Sequence, residues 1–286
     1  MNKRLLILAG GMSSRMKKAA ENIQLDQQLI QQADTLTKGM IQVGSAGQSL
    51  IDYQLKNAQD AGFNEVLLLL HPEDALTQEY YESAATQQKY AGLSFRYARQ
   101  FIPADRQKPA GTADAVLQAL QQTPDWQIGR LVICNSDNLY SIEALNVLWN
   151  SEKPNALISY DREALRFAPE RIQAFAVIRN DEEGNLIDIH EKPSKEEIDS
   201  ILEKTGRVGV SMNLFVVEAE KILPCLETTP YHATRNEKEL PTAINKLATI
   251  EKVAVFPLSE NVPDLTNKQD ILTVQNYLKA HYSSLN

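Results

Sequence analysis

The sequence predicts an α/β fold: a Rossmann-like, mixed and mostly parallel sheet flanked by helices, with a smaller mixed α/β part. Short apolar runs alternate with helical patterns through the first half of the chain, which is typical of βαβ units. The near-continuous apolar runs Val66–Leu70 and Leu131–Cys134 suit parallel strands that are covered on both faces. A chain of 286 residues is also long enough to bury a sizeable core.

The first half is predicted to alternate between strands and helices. Its predicted elements are, in order, strand Leu5–Leu8, helix Ser49–Ala61, strand Val66–Leu70, helix Glu73–Gln88, strand Leu93–Tyr97, helix Ala113–Gln121 and strand Leu131–Asn135.

The second half is less regular and richer in strands. The predicted strands are Ala156–Tyr160, Ala174–Arg179, Leu186–His190, Gly209–Val217 and Val253–Pro257. The turn residues Asp181–Asn185 predict a hairpin. Ser194 is expected to start a helix that Gly206 ends, and Lys268–Tyr282 is predicted to be the last helix.

Composition and charge narrow the class of protein. A formal net charge of −8 disfavours a nucleic-acid partner, because such proteins usually carry a basic face. The two cysteines, Cys134 and Cys225, lie in apolar runs and are expected to be buried free thiols. The apolar stretch Leu5–Ala9 is too short for a signal peptide or a membrane span. We therefore expect a cytoplasmic protein without a membrane partner, and a homo-oligomer stays open.

The segment Lys17–Thr37 departs from the alternating order. It is rich in Gln, Ala and Asp and has little apolar periodicity. We predict that it is an inserted segment forming a mobile or partly helical lid.

The loop after the first strand is the most informative motif. In Leu8-Ala9-Gly10-Gly11-Met12-Ser13-Ser14-Arg15-Met16, glycines let the backbone approach a ligand closely. Successive N–H groups and hydroxyls can then surround phosphate oxygens, and the guanidinium of Arg15 can add a charge-assisted contact. The loop has neither the Walker pattern nor GxGxxG, and from its glycines alone an ordinary βα turn is an equal alternative.

These nine residues resemble the signature of the superfamily that includes the sugar-1-phosphate nucleotidyltransferases, or NDP-sugar pyrophosphorylases. They also resemble the loop of molybdenum-cofactor guanylyltransferases, so later motifs must separate the two. The resemblance implies a nucleotide-binding role for Leu8, Ala9, Gly10, Gly11, Ser13 and Ser14, and a catalytic role for Arg15.

Two later segments continue the resemblance on the nucleotide side. Lys38-Gly39-Met40-Ile41-Gln42-Val43 is similar to the family's lysine segment, which implies that Lys38 neutralises charge near the α-phosphate. Residues 107–115 are similar to the Gln-x-x-x-Gly-Thr-Ala-x-Ala segment, which implies that Gln107, Gly111 and Thr112 contact the nucleotide. Thr112 is also predicted to cap the helix that starts at Ala113.

Two aspartates are candidates for binding Mg²⁺. Asp137 follows the strand Leu131–Cys134, and ligands of α/β proteins gather at the carboxyl ends of strands. A turn aspartate that bonds its own backbone is the alternative. By resemblance, Asp137 binds catalytic Mg²⁺, and Asp264 supplies the second metal carboxylate.

The resemblance also places an acceptor site in the second half. Glu191-Lys192-Pro193 matches an element of sugar-1-phosphate enzymes, which implies that Glu191 binds sugar hydroxyls and Lys192 the sugar phosphate. Asn138, Ala176 and Asn213 are implied as further sugar-phosphate contacts, although glycine is usual at the position of Ala176. Glu239 is expected to precede a helix and to have a pocket role, whereas the four histidines are expected to be structural or exposed.

The resemblance implies one nucleotidyltransferase domain over residues 1–286. Its nucleotide-binding half is expected at about 1–143, and its acceptor-binding half, the smaller mixed α/β part, at about 144–286. The implied reaction joins an NTP and a sugar 1-phosphate to give an NDP-sugar and pyrophosphate, with Mg²⁺ as cofactor. Two alternatives remain: transfer to a non-sugar phosphate, such as a phosphorylated alcohol or the molybdenum cofactor, and a non-catalytic regulatory protein that binds NDP-sugars.

Overall fold

The computed structural model describes residues 2–18, 25–173 and 175–282. Within these ranges the strands are β1 (Arg4–Ala9), β2 (Glu65–Leu70), β3 (Ser94–Arg99), β4 (Arg130–Asn135), β5 (Asn155–Asp161), β6 (Val177–Asn180), β7 (Leu186–His190), β8 (Gly209–Val210), β9 (Phe215–Glu218) and β10 (Val253–Leu258). The helices are α1 (Gln27–Thr35), α2 (Leu50–Asp60), α3 (Ala75–Glu82), α4 (Ala84–Lys89), α5 (Thr112–Gln122), α6 (Ile142–Trp149), α7 (Pro169–Ile172), α8 (Lys195–Thr205), α9 (Ala219–Glu227), α10 (Leu240–Ala248) and α11 (Asp270–His281). This is the mixed α/β fold that the sequence predicts.

The chain forms two compact units, and both are discontinuous in sequence. Unit 1 contains residues 1–109, 134–142 and 263–286, and unit 2 contains residues 110–133 and 143–262. One junction falls close to the predicted boundary at residue 143. The other junctions differ from the predicted halves, because the chain returns to unit 1 at residues 134–142 and again at its C-terminal segment.

The strands β1, β2 and β3 of unit 1 are parallel. β2 lies between β1 and β3, with Arg4 opposite Glu65 and Glu65 opposite Ser94. All residues of β1 and β2 after the first are buried, as expected of apolar strands that are covered on both faces. Because the strands are parallel, the loops after Ala9 and Leu70 leave the same edge of the sheet.

The prediction of a lid at residues 17–37 is only partly confirmed. Residues 19–24 lie outside the described ranges, and residues 27–35 form helix α1, as the partly helical alternative expects. Leu29 and Ala33 of α1 are buried in a hydrophobic cluster with Tyr53 of α2 and Val274 of α11. Helix α1 is therefore a packed part of unit 1. The apolar stripe of α1 is so short that the sequence does not indicate that the helix packs into the core.

The helix predicted over Glu73–Gln88 is wrong as a single element. Ser83 is extended, with φ −63° and ψ 143°, and separates α3 from α4. The Ser83 hydroxyl accepts a hydrogen bond from the Thr86 amide and so acts as the N-cap of α4. By contrast, α2 begins as predicted, with a capping box formed by Ser49 and Asp52.

Unit 2 is dominated by antiparallel pairing. Its strands follow the order β4-β9-β5-β8-β6-β7, and β10 pairs parallel to β5. The predicted hairpin is confirmed, since β6 and β7 are antiparallel and the turn Asp181–Asn185 connects them. The predicted limits of α8 are also confirmed, with a capping box at Ser194 and a left-handed Gly206 at the end.

Two predicted strands of unit 2 are shorter than expected. Residue 174 lies outside the described ranges, and the strand expected over Ala174–Arg179 begins at Val177. The strand predicted over Gly209–Val217 is divided into β8 and β9, because Asn213 has φ 56° and cannot continue a strand. Both cysteines are buried free thiols, as predicted. Along the described ranges, every helix is too short or too polar to cross a membrane.

Candidate active site

The loop Gly10–Arg15 follows the carboxyl end of β1 in unit 1. Ser13 has φ 54°, a left-handed conformation that occurs in loops whose amides converge on an anion. The Ser13 hydroxyl accepts a hydrogen bond from the Lys38 amide at 3.2 Å. Ser14 and Arg15 are exposed, whereas Leu8 and Ala9 are buried and only their backbone can meet a ligand.

A cavity of about 280 Å³ borders this loop. Its lining includes Gly11 and Ser13 from the loop, Thr37 next to Lys38, and His71 and Thr77 after β2. The cavity therefore lies where the loops after β1 and β2 leave the sheet. This is the edge at which α/β proteins bind ligands.

Lys38 is fixed against the loop that follows β4. It begins a 3₁₀ turn, Lys38–Met40, in which a Cβ atom on Gly39 would lie 2.7 Å from the Ile51 side chain and 2.9 Å from the Ser136 carbonyl oxygen. Only glycine permits this close approach. The Lys38 Nζ atom lies 2.9 Å from the Asp137 Oδ2 atom, and the two side chains are 13% and 22% exposed.

The two predicted metal aspartates lie on neighbouring antiparallel segments of unit 1. The Leu265 amide donates to the Asp137 carbonyl at 2.8 Å, and Asn138 forms a β-bridge with Asp264. The Asp264 Oδ1 atom accepts a hydrogen bond from the Thr266 hydroxyl at 2.6 Å. The structure thus brings the two aspartates together from positions 127 residues apart in the sequence.

Oxygen donors of this type suit Mg²⁺, which favours carboxylates together with substrate phosphates. The ammonium group of Lys38 already marks a cation position at the Asp137 carboxylate. The residues present therefore fit the Mg²⁺ ion that the resemblance implies.

Asn138 does not face the solvent. It is 3% exposed, and its Oδ1 atom lies 3.4 Å from the Tyr140 hydroxyl, which donates to it. The predicted sugar contact of Asn138 stays a prediction, and it would require the side chain to turn outward.

The segment Gln107–Thr112 differs from the prediction at the start of helix α5. Gln107 is exposed in unit 1. In unit 2, Gly111 has φ 117° and is the N-cap of α5, so the prediction that Thr112 caps this helix is wrong. Thr112 is instead the first helical residue, and its hydroxyl accepts a hydrogen bond from the Leu240 amide at 2.9 Å.

Residue 111 must be glycine, because backbone atoms of Lys238 lie too close to leave room for a side chain. A Cβ atom at this position would lie 2.7 Å from the Lys238 nitrogen. The Lys238 amide donates to the Ala110 carbonyl at 2.6 Å, and the Ala113 amide donates to the Lys238 carbonyl at 2.9 Å. Residue 238 of the same unit therefore lies directly against Gly111, and the nucleotide contact of Gly111 stays a prediction.

Glu191 belongs to a charged cluster in unit 2. The Arg235 guanidinium pairs with the Glu191 carboxylate and also with Glu239, at 2.6 Å from the Glu239 Oε1 atom. Glu239 is 8% exposed and is the N-cap residue of α10, as predicted. Burial, together with the nearby Glu191 carboxylate, raises the pKa of Glu239 to about 7.

His232 completes this cluster, although nothing in the sequence indicated that this histidine lies beside Glu191. The His232 Nε2 atom lies 3.9 Å from the Glu191 Oε2 atom. The His232 Nδ1 atom accepts hydrogen bonds from the Thr234 and Arg235 amides, both at 3.3 Å, so the ring proton resides on Nε2 in the neutral ring.

Ligand atoms of Glu191, His232 and Glu239 lie within 4.8 Å of one another. A metal ion would need a bare Nε2 atom, whereas the hydrogen bonds to Nδ1 keep a proton there. Arg235 also occupies both carboxylates. The cluster therefore fits a guanidinium and hydrogen-bonding ligands better than a metal ion.

The remaining predicted acceptor residues lie in unit 2. Lys192 follows Glu191 directly and has φ 50°, and Asn213 has φ 56°. The Ala176 carbonyl accepts a hydrogen bond from the Ser211 amide at 3.0 Å. Arg235 and His232 are the residues that sequence reasoning missed. The dense run of polar residues from Tyr231 to Glu239 before an apolar helix was the available signal.

The chain matches the family model described as nucleotidyl transferase over residues 26–280, and it belongs to that family. Among curated relatives, glucose-1-phosphate adenylyltransferase 1 of Vibrio cholerae is 26% identical over 288 residues. Glucose-1-phosphate adenylyltransferase of Photobacterium profundum is also 26% identical over 288 residues. In both cases the alignment covers 98% of this chain and 66% of the relative, so the chain spans slightly less than two thirds of the length of these proteins.

Solved structures share the fold. A UDP-glucose pyrophosphorylase in complex with UDP-glucose has a TM-score of 0.73 at 17% identity, with 98% of this chain and 100% of that chain covered. A UTP-bound enzyme from Acinetobacter baumannii has a TM-score of 0.70 at 18% identity, with 98% and 94% covered. At these identities the likeness concerns the fold alone.

Proposed function

We propose that this chain joins an NTP and a sugar 1-phosphate to give an NDP-sugar and pyrophosphate. The observation that carries the proposal is the contact of Lys38 with Asp137 beside the loop Gly10–Arg15, with Asp264 on the adjoining segment. Membership of the nucleotidyl transferase family supports the reaction class. The names of the relatives, glucose-1-phosphate adenylyltransferase and UDP-glucose pyrophosphorylase, support a sugar 1-phosphate as acceptor.

Residues of unit 1 bind the nucleotide in this proposal. Backbone amides of Gly10–Ser14 and the Ser14 hydroxyl hold phosphate oxygens. The exposed guanidinium of Arg15 is available for the outer phosphates, which leave as pyrophosphate. The Lys38 side chain moves its ammonium group away from Asp137 and towards the α-phosphate, where the positive charge neutralises phosphate charge.

Asp137 and Asp264 would hold Mg²⁺. When bound, the ion neutralises charge on phosphate oxygens and orients the triphosphate. The Thr266 hydroxyl, which donates to Asp264, fixes the orientation of that carboxylate.

Residues of unit 2 bind the acceptor. The Glu191 carboxylate accepts hydrogen bonds from sugar hydroxyls, and Lys192 pairs with the sugar phosphate. Arg235 orients Glu191, because its guanidinium contacts both the Glu191 and the Glu239 carboxylates.

The reaction needs no covalent enzyme intermediate. A phosphate oxygen of the sugar 1-phosphate forms a bond to the α-phosphorus, and the bond from that phosphorus to the oxygen bridging to the β-phosphate breaks. Pyrophosphate leaves with the electron pair of that bond. The acceptor is already an anion, so the protein mainly supplies positioning and charge stabilisation.

A panel of NTPs and sugar 1-phosphates, with pyrophosphate release as the readout, tests the proposal. We expect release that depends on Mg²⁺ and on one class of sugar 1-phosphate. Asp137→Asn should lower the rate by about 100-fold or more, the scale seen when a residue that stabilises transition-state charge is removed. Asp60→Asn is the matched control: this aspartate of the same unit pairs with Lys56, and its variant should keep the wild-type rate. Release with non-sugar phosphates alone would overturn the sugar assignment.

Glu191→Gln tests the acceptor part separately. Loss of the ionised carboxylate should raise the KM for sugar 1-phosphate by about tenfold, as expected for a charged hydrogen-bond partner, and leave the KM for the NTP within about twofold. An equal rise in both constants would contradict the assignment of Glu191 to the acceptor.

A further inference from the structure

Gln54 is a buried polar residue of helix α2, 4% exposed, that contacts the loop after β4. Its Nε2 atom donates to the Asn135 carbonyl at 2.8 Å and also to the Asn138 carbonyl. These two carbonyl groups flank Asp137 on either side in the sequence. The side-chain amide of Gln54 thus donates both of its hydrogens to the loop that carries a proposed metal ligand.

Core packing does not explain this residue. Its Oε1 atom is buried and has no hydrogen-bond partner among residues 2–18, 25–173 and 175–282. An unmade hydrogen bond on a buried acceptor is unfavourable, and ordering a glutamine side chain costs conformational entropy. An apolar side chain of similar length would avoid the unmade hydrogen bond, so the contribution specific to glutamine is the pair of bonds to the loop.

The loop is held from two other directions as well. The Ser136 amide donates to the Leu8 carbonyl at 3.2 Å, next to the phosphate loop, and the Leu265 amide donates to the Asp137 carbonyl at 2.8 Å, next to Asp264. Gln54 supplies the third attachment, from helix α2. The three attachments together fix the Asp137 backbone relative to both the phosphate loop and the Asp264 segment.

We propose that Gln54 is a positioning residue of the metal site, which acts by holding the loop 135–138 so that Asp137 can bind the metal ion together with Asp264. This inference rests on the proposed function, because it takes Asp137 as a metal ligand. A displacement of about 1 Å at a reacting group can cost about a hundredfold in rate, so the lost bonds should affect the metal and the rate more than nucleotide or acceptor binding.

Helix α2 provides a matched control at Asn57. This residue is 2% exposed, and its Nδ2 atom donates to the Tyr140 carbonyl and to the Tyr282 hydroxyl, both at 2.7 Å. Asn57 therefore makes the same kind of buried amide contact with the same chain segment, but beyond the part that brackets Asp137.

The test compares Gln54→Met, Gln54→Asn and Asn57→Leu with the wild-type protein. Thermal unfolding measures stability. The affinity for Mn²⁺ is measured by electron paramagnetic resonance with α,β-methylene ATP and with α,β-methylene UTP, which cannot release pyrophosphate. Steady-state kinetics supply kcat and KM with the best substrate pair.

We expect Gln54→Met and Asn57→Leu to lower the melting temperature by similar amounts. Only the Gln54 variants should weaken Mn²⁺ binding, by about tenfold in Gln54→Met and by less in Gln54→Asn, which keeps a shorter amide. Their kcat should fall at least tenfold, with the KM for sugar 1-phosphate within threefold of the wild type.

Wild-type Mn²⁺ affinity in Gln54→Met, or an equal loss in Asn57→Leu, would overturn the proposal. If Gln54→Met fails to fold, Gln54→Asn decides by the same comparison. A wild-type protein that turns over no NTP would refute the proposed function instead, whereas the Mn²⁺ affinities would still decide whether Gln54 positions the loop.

Discussion

Lys38 and a metal ion compete for the same carboxylate oxygen in this account. The Lys38 Nζ atom lies 2.9 Å from the Asp137 Oδ2 atom, so an ion can bind that oxygen only after the ammonium group has moved away. Lys38→Met removes the charge and keeps a side chain of similar length. We therefore predict that this variant binds a divalent cation more tightly than the wild type when no nucleotide is present.

The magnitude follows from the contact itself. A hydrogen bond to a charged group contributes about 1.5 to 3 kcal/mol. Losing that competitor corresponds to a gain of about 10- to 150-fold in metal affinity. Because Lys38 and Asp137 are 13% and 22% exposed, solvent screens the pair in part, and we expect a value near the lower end, about tenfold.

Mn²⁺ binding without nucleotide, followed by electron paramagnetic resonance, measures this effect. Lys268→Met is the matched control. Lys268 is a buried lysine of the same unit and pairs with Asp34 at 2.6 Å, so its loss removes an equal charge away from Asp137. Addition of α,β-methylene NTP should tighten Mn²⁺ binding in the wild type more than in Lys38→Met, because in the wild type the phosphates draw the ammonium group away from Asp137.

Equal Mn²⁺ affinity in the wild type and in Lys38→Met would refute the reasoning. So would a gain of the same size in Lys268→Met, since the effect would then come from net charge alone. Turnover of Lys38→Met should also fall, because the lysine is proposed to neutralise the α-phosphate.

Three further predictions concern stability and reactivity. The pKa of Glu239 is raised to about 7, above its unfolded value of 4.5, so protonation of Glu239 stabilises the fold fully below about pH 4.5. This stabilisation is lost as the pH rises through 7. Between pH 5 and pH 8 the melting temperature should therefore fall more steeply with pH in the wild type than in Glu239→Gln. Gly111→Ala, with φ 117° and a backbone nitrogen 2.7 Å from the new Cβ atom, should lower the free energy of unfolding in urea by about 3 kcal/mol or more, whereas Gly47→Ala, with φ 81° and open space, should cost about 1 kcal/mol from backbone strain alone. Burial raises the pKa of Cys134 and of Cys225, so neither thiol should react with a disulfide reagent until the protein unfolds.

The strands and capped helices were predictable because their signals are local. β1, β2 and β4 are continuous apolar runs, and α2 and α8 begin at serine capping boxes. Each of these signals lies within a few residues of the element that it defines, so no knowledge of the tertiary structure is needed.

The errors occurred where tertiary contacts decide the local structure. Helix α1 has only a short apolar stripe, and burial of Leu29 and Ala33 against α2 and α11 stabilises it. Thr112 looks like an N-cap, but the backbone at residue 238 places Gly111 in that role and uses the threonine hydroxyl elsewhere. Propensity is a weak guide where such contacts exist.

The candidate site shows the same division. The order of the motifs indicated Lys38, Asp137, Asp264 and Glu191, and the structure places the first three within unit 1. Arg235 was missed because no local pattern indicates that an arginine 44 residues after Glu191 will pair with it. The division of the chain into its two units was also not predictable, because residues 134–142 belong to unit 1 although the residues on both sides of them belong to unit 2.

Transfer of the α-phosphate label tests the central claim most directly. The wild-type protein is incubated with Mg²⁺, a sugar 1-phosphate and NTP labelled with ³²P at the α-phosphate, and the products are separated by chromatography. We expect the label to move into an NDP-sugar while unlabelled pyrophosphate is released, and Asp137→Asn should lower the rate of this transfer by about 100-fold or more. A wild-type protein that binds NDP-sugar but transfers no label with any acceptor would contradict the account and support a regulatory protein on this fold.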